Sequence, residues 1–289
     1  MVYLGLVHAL VVQWIGCFPP KEAMQVRFLP RAPIKHMSSE EFSGVLDDIS
    51  PRLLVEDGQP LDDFFLVLSL IFNDLKGLLL WQNTLEDVYR PAPDSEKSAH
   101  AAEMAGMQMQ LYRLLSGLIR EFLAFLNENS EIVKSPAFQR ILLRLSSDNR
   151  ILWDDLSRVA LGGEAQTKST FAHSLMLIRH NIGFHYDQTR KEFRNSFNSF
   201  FKTAPRTIFN ERAYFSLGKT MKGTRFYYAD AAVKEYITQQ AAKITIGSSE
   251  EKMTFDLHFA KLREMVGDMN NVIQALLLHH ISLKKNPRG

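Results

Sequence analysis

The sequence contains only one cysteine, Cys17, among its 289 residues. A lone thiol cannot form a disulfide within the chain, and it cannot supply the several thiolates of a cysteine-based zinc site. The net charge is also small, at +2 from 34 basic and 32 acidic residues. These absences exclude a disulfide-stapled scaffold and a uniformly charged chain. They fit a reducing cytosol, so we expect a cytoplasmic protein.

Apolar residues are plentiful, at 46% of the chain, and aromatic residues make up 11%. A chain of this length and composition can bury a sizeable core. Apolar positions recur with helical spacing along most of it, which predicts an all-α fold, an antiparallel helical bundle. The predicted helices cover residues 60–89, 98–129, 231–243 and 250–284, with shorter ones that begin at Ser135-Pro136, at Asp148 and at Thr167 or Ser169.

The helical spacing of apolar residues is interrupted in one segment. Residues 213–217 and 225–228 are rich in aromatic side chains, and the basic sequence GKTMKG joins them. This pattern predicts a small β-hairpin at about 213–228 with a mobile tip. The tip contains Gly218-Lys219-Thr220, but the upstream glycine and the strand-to-helix context of a P-loop are missing. Nucleotide hydrolysis at this loop is therefore not expected.

Residues 60–89 are apolar on most helical faces, which predicts a long buried helix. Asp74 and Lys76 interrupt the apolar run. On length and charge, we therefore expect a core helix and no membrane partner.

The first 36 residues differ from the rest. Gln25 to Pro30, followed by Arg31-Ala32-Pro33, resembles the conceptual translation of the 3′ end of a bacterial tRNA gene. Met37 is followed by Ser38-Ser39-Glu40-Glu41, typical of a helix N-cap with acids in the first turn. We therefore expect the natural start at Met37, residues 1–36 to be a non-native or disordered extension, and 37–289 to form a single helical domain.

The small net charge hides an asymmetry. Residues 37–178 contain 12 basic and 21 acidic residues, whereas residues 179–225 contain 10 basic and 3 acidic ones. The second block includes Arg190, Lys191 and Arg194, which are candidate RNA-binding residues because clustered cations neutralise phosphates and release counterions. Equally, the block could be a solvated face that complements the acidic part within the fold or in a dimer.

The basic block begins in Ile178–Asp187, which reads IRHNIGFHYD. Arg179 and His185 are six residues apart, which places them about 120° from each other on an ideal helix. Asn181 and His185 share a face. Arg179 and His185 can therefore meet only if the helix loosens or ends near Gly183, or if a second protomer supplies one of them.

Arg179-His180-Asn181-Ile182-Gly183-Phe184-His185 resembles the motif of the HEPN superfamily (higher eukaryotes and prokaryotes nucleotide-binding domains). That motif has an arginine, a polar residue, and a histidine four to six residues after the arginine. The resemblance implies an RNA endonuclease of toxin or phage-defence type that needs no metal or other cofactor. It also implies RNA as the substrate, a homodimer with the site between protomers, and an antitoxin protein as a candidate partner.

The resemblance assigns catalytic roles to Arg179 and His185. RNA carries its own nucleophile, the 2′-OH, so the protein needs a proton-transfer group and a cation for the phosphate; His185 and Arg179 suit these roles. His180 and Asn181 would orient or hydrogen-bond, and Tyr186 and Asp187 would hold the imidazole of His185.

Two other interpretations stay open. The chain could be a non-catalytic helical RNA- or protein-binding dimer that uses the same motif as an interface. His279-His280 could suggest a metal site, but adjacent histidines point in different directions on a helix, so packing or surface exposure is the favoured explanation.

Overall fold

The computed structural model describes residues 47–88, 99–163, 167–168, 170–183, 190–207, 210–244 and 252–286. The predicted extension at 1–36 and the predicted start at Met37 lie outside these residues. His185, Tyr186 and Asp187 also lie outside them.

The described residues are mostly helical, as the sequence predicted. The α-helices are α1 (Pro51–Leu54), α2 (Pro60–Val88), α3 (Ala99–Glu128), α4 (Ser130–Lys134), α5 (Pro136–Leu142), α6 (Ser147–Leu161), α7 (Phe171–Ile178), α8 (Arg190–Asn198), α9 (Tyr227–Ala241) and α10 (Phe255–Lys285). A π-helical turn extends α7 over Arg179–Gly183, and another extends α8 over Ser199–Thr203.

Serine and threonine side chains begin four of these helices. The hydroxyls of Ser135, Ser146, Thr170 and Thr254 each accept a hydrogen bond from the backbone N–H three residues on. Two predicted starts are therefore wrong by one to three residues. Asp148 lies in the first turn of α6 rather than at its cap, and α7 begins after Thr170 instead of Thr167 or Ser169.

Helix α3 is central to the bundle and contacts α2, α6, α7, α9 and α10. Two of its faces are buried, because Leu111, Leu115, Phe122 and Leu126 share the core with Tyr112, Ile119 and Leu123. One continuous apolar core joins α2, α3, α5, α6, α7, α9 and α10. Trp153 is 2% exposed within it.

Helix α2 is less buried than predicted. Phe64, Phe65 and Leu68 face the core, but Leu66 and Leu70 are more than half exposed. The segment Pro60–Leu85 is long and apolar enough to cross a membrane, and 28% of its most apolar window is buried. The length and charge of this helix therefore do not exclude a membrane span. The core helix of a soluble protein can have the same length and apolar composition.

The predicted hairpin at 213–228 is not confirmed. One antiparallel bridge joins Ser216 and Arg225, and no strand forms in the part of the chain that the structure describes. Met221–Gly223 forms a 3-10 turn, and Tyr227 and Tyr228 already belong to α9. The aromatic residues that suggested a second strand instead begin a helix.

Arg225 connects the segment 216–225 to helices α3 and α9 through hydrogen bonds and ion pairs. Its guanidinium donates to Glu103 Oε1 of α3 at 2.7 Å and to both carboxylate oxygens of Asp230 in α9 at 2.8 and 3.2 Å. The side chain is only 18% exposed. It crosses α3 at Gly106, where an added Cβ would lie 2.2–2.4 Å from the guanidinium atoms. Gly106 is therefore the position that lets Arg225 reach both acids.

We expect Gly106→Ala to destabilise the protein by about 1–2 kcal/mol, because displacing the charged hydrogen bonds outweighs the gain of up to about 1 kcal/mol in helix propensity. Gly117→Ala is the matched control in the same helix, because a Cβ there meets no atom within 4 Å. That control should be neutral or stabilising.

A double-mutant cycle checks the cause. In an Arg225→Ala background, Gly106→Ala should stop being destabilising, because the guanidinium is gone. Urea unfolding of the four proteins measures this. If Gly106→Ala lowers the free energy of unfolding equally in the Arg225→Ala background, the proposed contact between position 106 and Arg225 is contradicted.

Candidate functional site

The helical geometry of α7 changes at the predicted motif. Residues 171–178 are α-helical, and Arg179–Gly183 widen into a π-helical turn. Such turns are rare and occur frequently at functional sites. The π-helical turn includes Gly183, whose φ is not positive. Its backbone is buried against Ile178 and Arg179.

Arg179 points toward α3. Its Nε lies 2.6 Å from Glu121 Oε1, and the two side chains are 33% and 55% exposed. Together with the Arg225–Glu103 pair, this ion pair joins the basic block to acidic residues of α3. Part of the block therefore complements the acidic region within the fold, as one of the two interpretations proposed.

Asn181 points toward α9. Its Nδ2 lies 2.6 Å from the hydroxyl of Tyr236, which lies 3.5 Å from the carbonyl oxygen of Leu177. Burial raises the pKa of Tyr236 to about 12, so its hydroxyl stays protonated. Asn181 therefore anchors the π-helical turn to α9, whereas the neighbouring His180 is exposed.

The predicted RNA-binding residues lie on the next helix. Arg190, Lys191 and Arg194 are exposed on α8, which contacts both the π-helical turn and α9. The structure thus places an exposed cationic helix beside Arg179 and His180. The predicted proton-transfer residue His185, with Tyr186 and Asp187, falls in the segment between Gly183 and Arg190 that lies outside the described residues.

A buried histidine that the sequence did not single out lies behind α7. His258 of α10 is fully buried, with Nδ1 against the hydroxyl of Tyr112 and Nε2 2.7 Å from Ser174 Oγ. Burial, with a smaller effect from the charge of Lys261, lowers the pKa of His258 to about 4. The imidazole is therefore neutral at physiological pH.

The hydrogen bonds of this network argue against a serine nucleophile. Burial raises the pKa of Tyr112, so its hydroxyl donates to Nδ1 and leaves the imidazole proton on Nε2. That Nε2–H donates to Ser174 Oγ, whose own proton goes to the carbonyl of Phe171 at 2.6 Å. Every donor then has an acceptor. Since Nε2 already carries a proton, it cannot take one from Ser174.

The adjacent histidines of α10 do not form a metal site among the described residues. His280 is 4% exposed and stacks on Phe65, with ring centroids 4.0 Å apart. Its Nε2 is 3.7 Å from Asp62 Oδ1, and Lys284 pairs with the other carboxylate oxygen at 2.6 Å. No group of three or more potential metal-binding side chains occurs in the described ranges. Packing is the role that His280 has.

The Arg179–Glu121 pair is too exposed to contribute much stability. Pairs of this kind contribute about 0.2–1 kcal/mol. We therefore expect Arg179→Ala and Glu121→Gln each to change the free energy of unfolding by less than about 1 kcal/mol. Arg158→Ala is a matched control, because Arg158 also pairs with an exposed acid, Asp155. Urea denaturation measures the free energy of unfolding of each variant. A decrease several times larger for Arg179→Ala than for the other two variants would contradict this expectation.

Sequence reasoning missed Glu121 and Tyr236, the partners of Arg179 and Asn181. Both lie more than fifty residues from the motif, and neither has a local pattern that marks a contact with it. The helical spacing of Val233, Tyr236 and Ile237 indicates a buried face of α9. It does not indicate which helix the hydroxyl of Tyr236 meets.

Comparison of the chain with protein-family models, with curated proteins and with solved structures found no match.

Proposed function

We propose that this protein is a metal-independent RNA endonuclease of HEPN type that acts as a homodimer, as a toxin or phage-defence effector. The observation that carries the proposal is the position of Arg179 and His180 in a π-helical turn at the end of α7, beside the exposed cations of α8. A helical bundle with RxxxxxH at such a helix end is the arrangement that the resemblance implies.

The chemistry needs few protein groups. The 2′-OH of RNA attacks the adjacent phosphorus, its proton passes to a base, and the 5′ oxygen leaves with a proton from an acid. The products are a 2′,3′-cyclic phosphate and a free 5′-OH. His185 is the proposed proton-transfer group, and Arg179 stabilises the charge that develops on the phosphorane. A copy of His185 from each protomer would supply one base and one acid.

Arg179 must release Glu121 to contact a phosphate. The pair is partly exposed, so separating it costs about 1 kcal/mol or less. A phosphate offers the guanidinium a charged, bidentate partner in exchange. Glu121 therefore holds Arg179 in place without RNA and does not prevent its use.

The Arg179–Glu121 ion pair also supports a second candidate function. In a non-catalytic dimer that binds RNA or protein, Arg179 would serve only to tie the π-helical turn to α3, and the motif would shape an interface. This alternative predicts RNA or protein binding without cleavage.

The nature of the products tests the proposal. Purified protein is incubated in EDTA with an RNA oligonucleotide and with the same oligonucleotide carrying 2′-deoxy sugars throughout. We expect fragments that end in 2′,3′-cyclic phosphate from the first and none from the second. Intact RNA after prolonged incubation with a correctly folded dimer would favour the non-catalytic alternative.

A further inference from the structure

Exposed apolar side chains are concentrated in one short segment, residues 215–226, which we call the tip loop. The described residues include twelve exposed large apolar side chains, and four of them lie in this loop, namely Phe215, Leu217, Met221 and Phe226. Leu217 is 73% exposed and Met221 is 92% exposed. Single exposed apolar residues are ordinary, but a cluster of this kind indicates a surface that contacts an apolar partner.

The backbone of the tip loop is hydrogen-bonded to itself. Ser216 and Arg225 exchange two backbone hydrogen bonds of 2.8 and 3.2 Å, and the N–H groups of Gly223 and Thr224 donate to carbonyls inside the loop. The N–H of Gly218 donates to the Thr224 hydroxyl at 3.1 Å. Because these N–H groups have acceptors within the loop, a partner that offers few hydrogen-bonding groups can cover them without leaving them unpaired.

The charge around the tip loop has one sign. Residues 212–229 contain four basic residues and no aspartate or glutamate. Arg225 already pairs with two acids of the bundle, whereas Arg212 and Lys219 are exposed. Exposed cations therefore accompany the apolar side chains, and they complement an anionic partner.

The chemistry of the tip loop favours a lipid surface over RNA. Unpaired bases stack on aromatic rings, but the two most exposed side chains of the loop, Leu217 and Met221, are not aromatic. Several backbone N–H groups that could contact phosphates donate within the loop instead. Apolar side chains beside cations are the combination that binds the interface of an anionic bilayer.

The size of the tip loop also disfavours a stable protein interface made by the loop alone. Such interfaces bury about 800 Å² on each partner and involve about 20–30 residues of each. The loop has twelve residues. A bilayer interface can be bound by a smaller surface, because buried apolar area and attraction to anionic lipids add to each other.

We propose that the tip loop docks the protein on an anionic phospholipid surface. Leu217 and Met221 enter the headgroup layer, and Arg212 and Lys219 face the lipid phosphates. The sequence-based expectation of no membrane partner concerned α2 as a spanning helix, and docking through a loop requires no span.

The docking surface is separate from the site proposed for RNA cleavage. Both are connected to α3, the tip loop through Glu103 and the π-helical turn through Glu121. These two glutamates are eighteen residues apart on one helix, which is about 27 Å along its axis. Membrane docking therefore does not depend on RNA cleavage, and either proposal can fail alone.

Flotation of the full chain with vesicles tests the proposal. Vesicles of phosphatidylcholine alone are compared with vesicles that also contain phosphatidylserine. We expect the protein to bind the phosphatidylserine vesicles and to bind phosphatidylcholine at least about tenfold more weakly. Binding should be lost at about 1 M salt, where the Debye length falls to about 3 Å.

Variants separate the apolar side chains from the cations. Leu217→Ser and Met221→Ser together should weaken vesicle binding at least about tenfold, and Lys219→Gln should weaken it about fivefold. The matched controls are Leu143→Ser, at a position that is 69% exposed, and Lys134→Gln, at an exposed position of α4. Each control should change binding less than about twofold. All five positions are exposed, so the variants should fold.

The proposal is overturned if the wild-type protein does not float with phosphatidylserine vesicles, or if the Leu217→Ser, Met221→Ser protein floats as the wild type does. Leu70→Ser replaces an exposed apolar residue of α2. If this change abolishes flotation and the tip-loop variants do not, α2 is the membrane contact. If the tip-loop variants weaken binding of single-stranded RNA and leave flotation unchanged, the loop binds RNA instead.

Discussion

Replacing either Arg179 or His185 with alanine is expected to lower the rate of RNA cleavage at least about a hundredfold, because each removes a group that acts on the reacting phosphate. Loss of His185 removes proton transfer, and loss of Arg179 removes the cation that faces the phosphorane. Arg179→Ala should still fold, since the Arg179–Glu121 pair is partly exposed and contributes little stability.

Two controls separate catalysis from binding. Arg194→Ala removes an exposed cation of α8, and we expect it to weaken RNA binding and its salt dependence while leaving the rate at saturating RNA nearly unchanged. Arg158→Ala removes an exposed arginine of α6 that also pairs with an acid, and it should change neither RNA binding nor the cleavage rate. Cleavage that persists in both Arg179→Ala and His185→Ala would reject the assignment of these residues.

Acid should destabilise the protein strongly between pH 6.5 and pH 4. His258 and His280 each have a pKa of 6.5 when unfolded and about 4 in the folded chain, chiefly because burial disfavours the charged imidazole. The unfolded state binds more protons than the folded state in this window, so stability falls as the pH falls. Each histidine contributes about 3 kcal/mol to the loss.

The two histidines face different groups. Protonating Nδ1 of His258 would set it against the hydroxyl proton of Tyr112, and Lys261 adds repulsion. His280 has Asp62 nearby, which raises its pKa, but burial and Lys284 outweigh this effect. Since the folded pKa is about 4 at both positions, we expect His258 and His280 to be similarly acid-sensitive.

Urea unfolding at pH 7 and at pH 5 measures this effect. A His258→Gln variant should be less stable at pH 7, because it loses part of the Tyr112–Ser174 network, but it should lose less stability on acidification than the wild type. His279→Gln is the control, because His279 belongs to neither network. Equal losses between the two pH values in all three proteins would show that His258 does not control acid stability.

The sequence predicted the long helices well because their apolar spacing is regular. Apolar residues at helical spacing predicted a helix over 98–129, and the structure has α3 there, with Leu111, Leu115, Phe122 and Leu126 buried. Tyr227 and Tyr228 were assigned to a strand because aromatic residues are frequent in strands. In the structure they begin α9, where tertiary contacts decide the local conformation: the Tyr227 hydroxyl contacts the Ala99 carbonyl of α3.

The candidate site could be only partly predicted. The regular α-helix ends at Ile178, before Gly183, and the π-helical turn that follows is not visible in a pattern of residue types. The contacts of Arg179 with Glu121 and of Asn181 with Tyr236 depend on how α3 and α9 pack around α7. Charge counts alone could not show that Arg179 and Arg225 already pair with acids of α3.

The most direct measurement compares RNA cleavage in EDTA by Glu121→Gln and Arg179→Ala, which remove the two sides of the same ion pair. If Arg179 acts on the phosphate, Glu121→Gln retains cleavage at or above the wild-type rate and Arg179→Ala loses it. If Arg179 acts only by tying the π-helical turn to α3, the two variants lose cleavage to the same extent, and that result would contradict the proposed catalytic role.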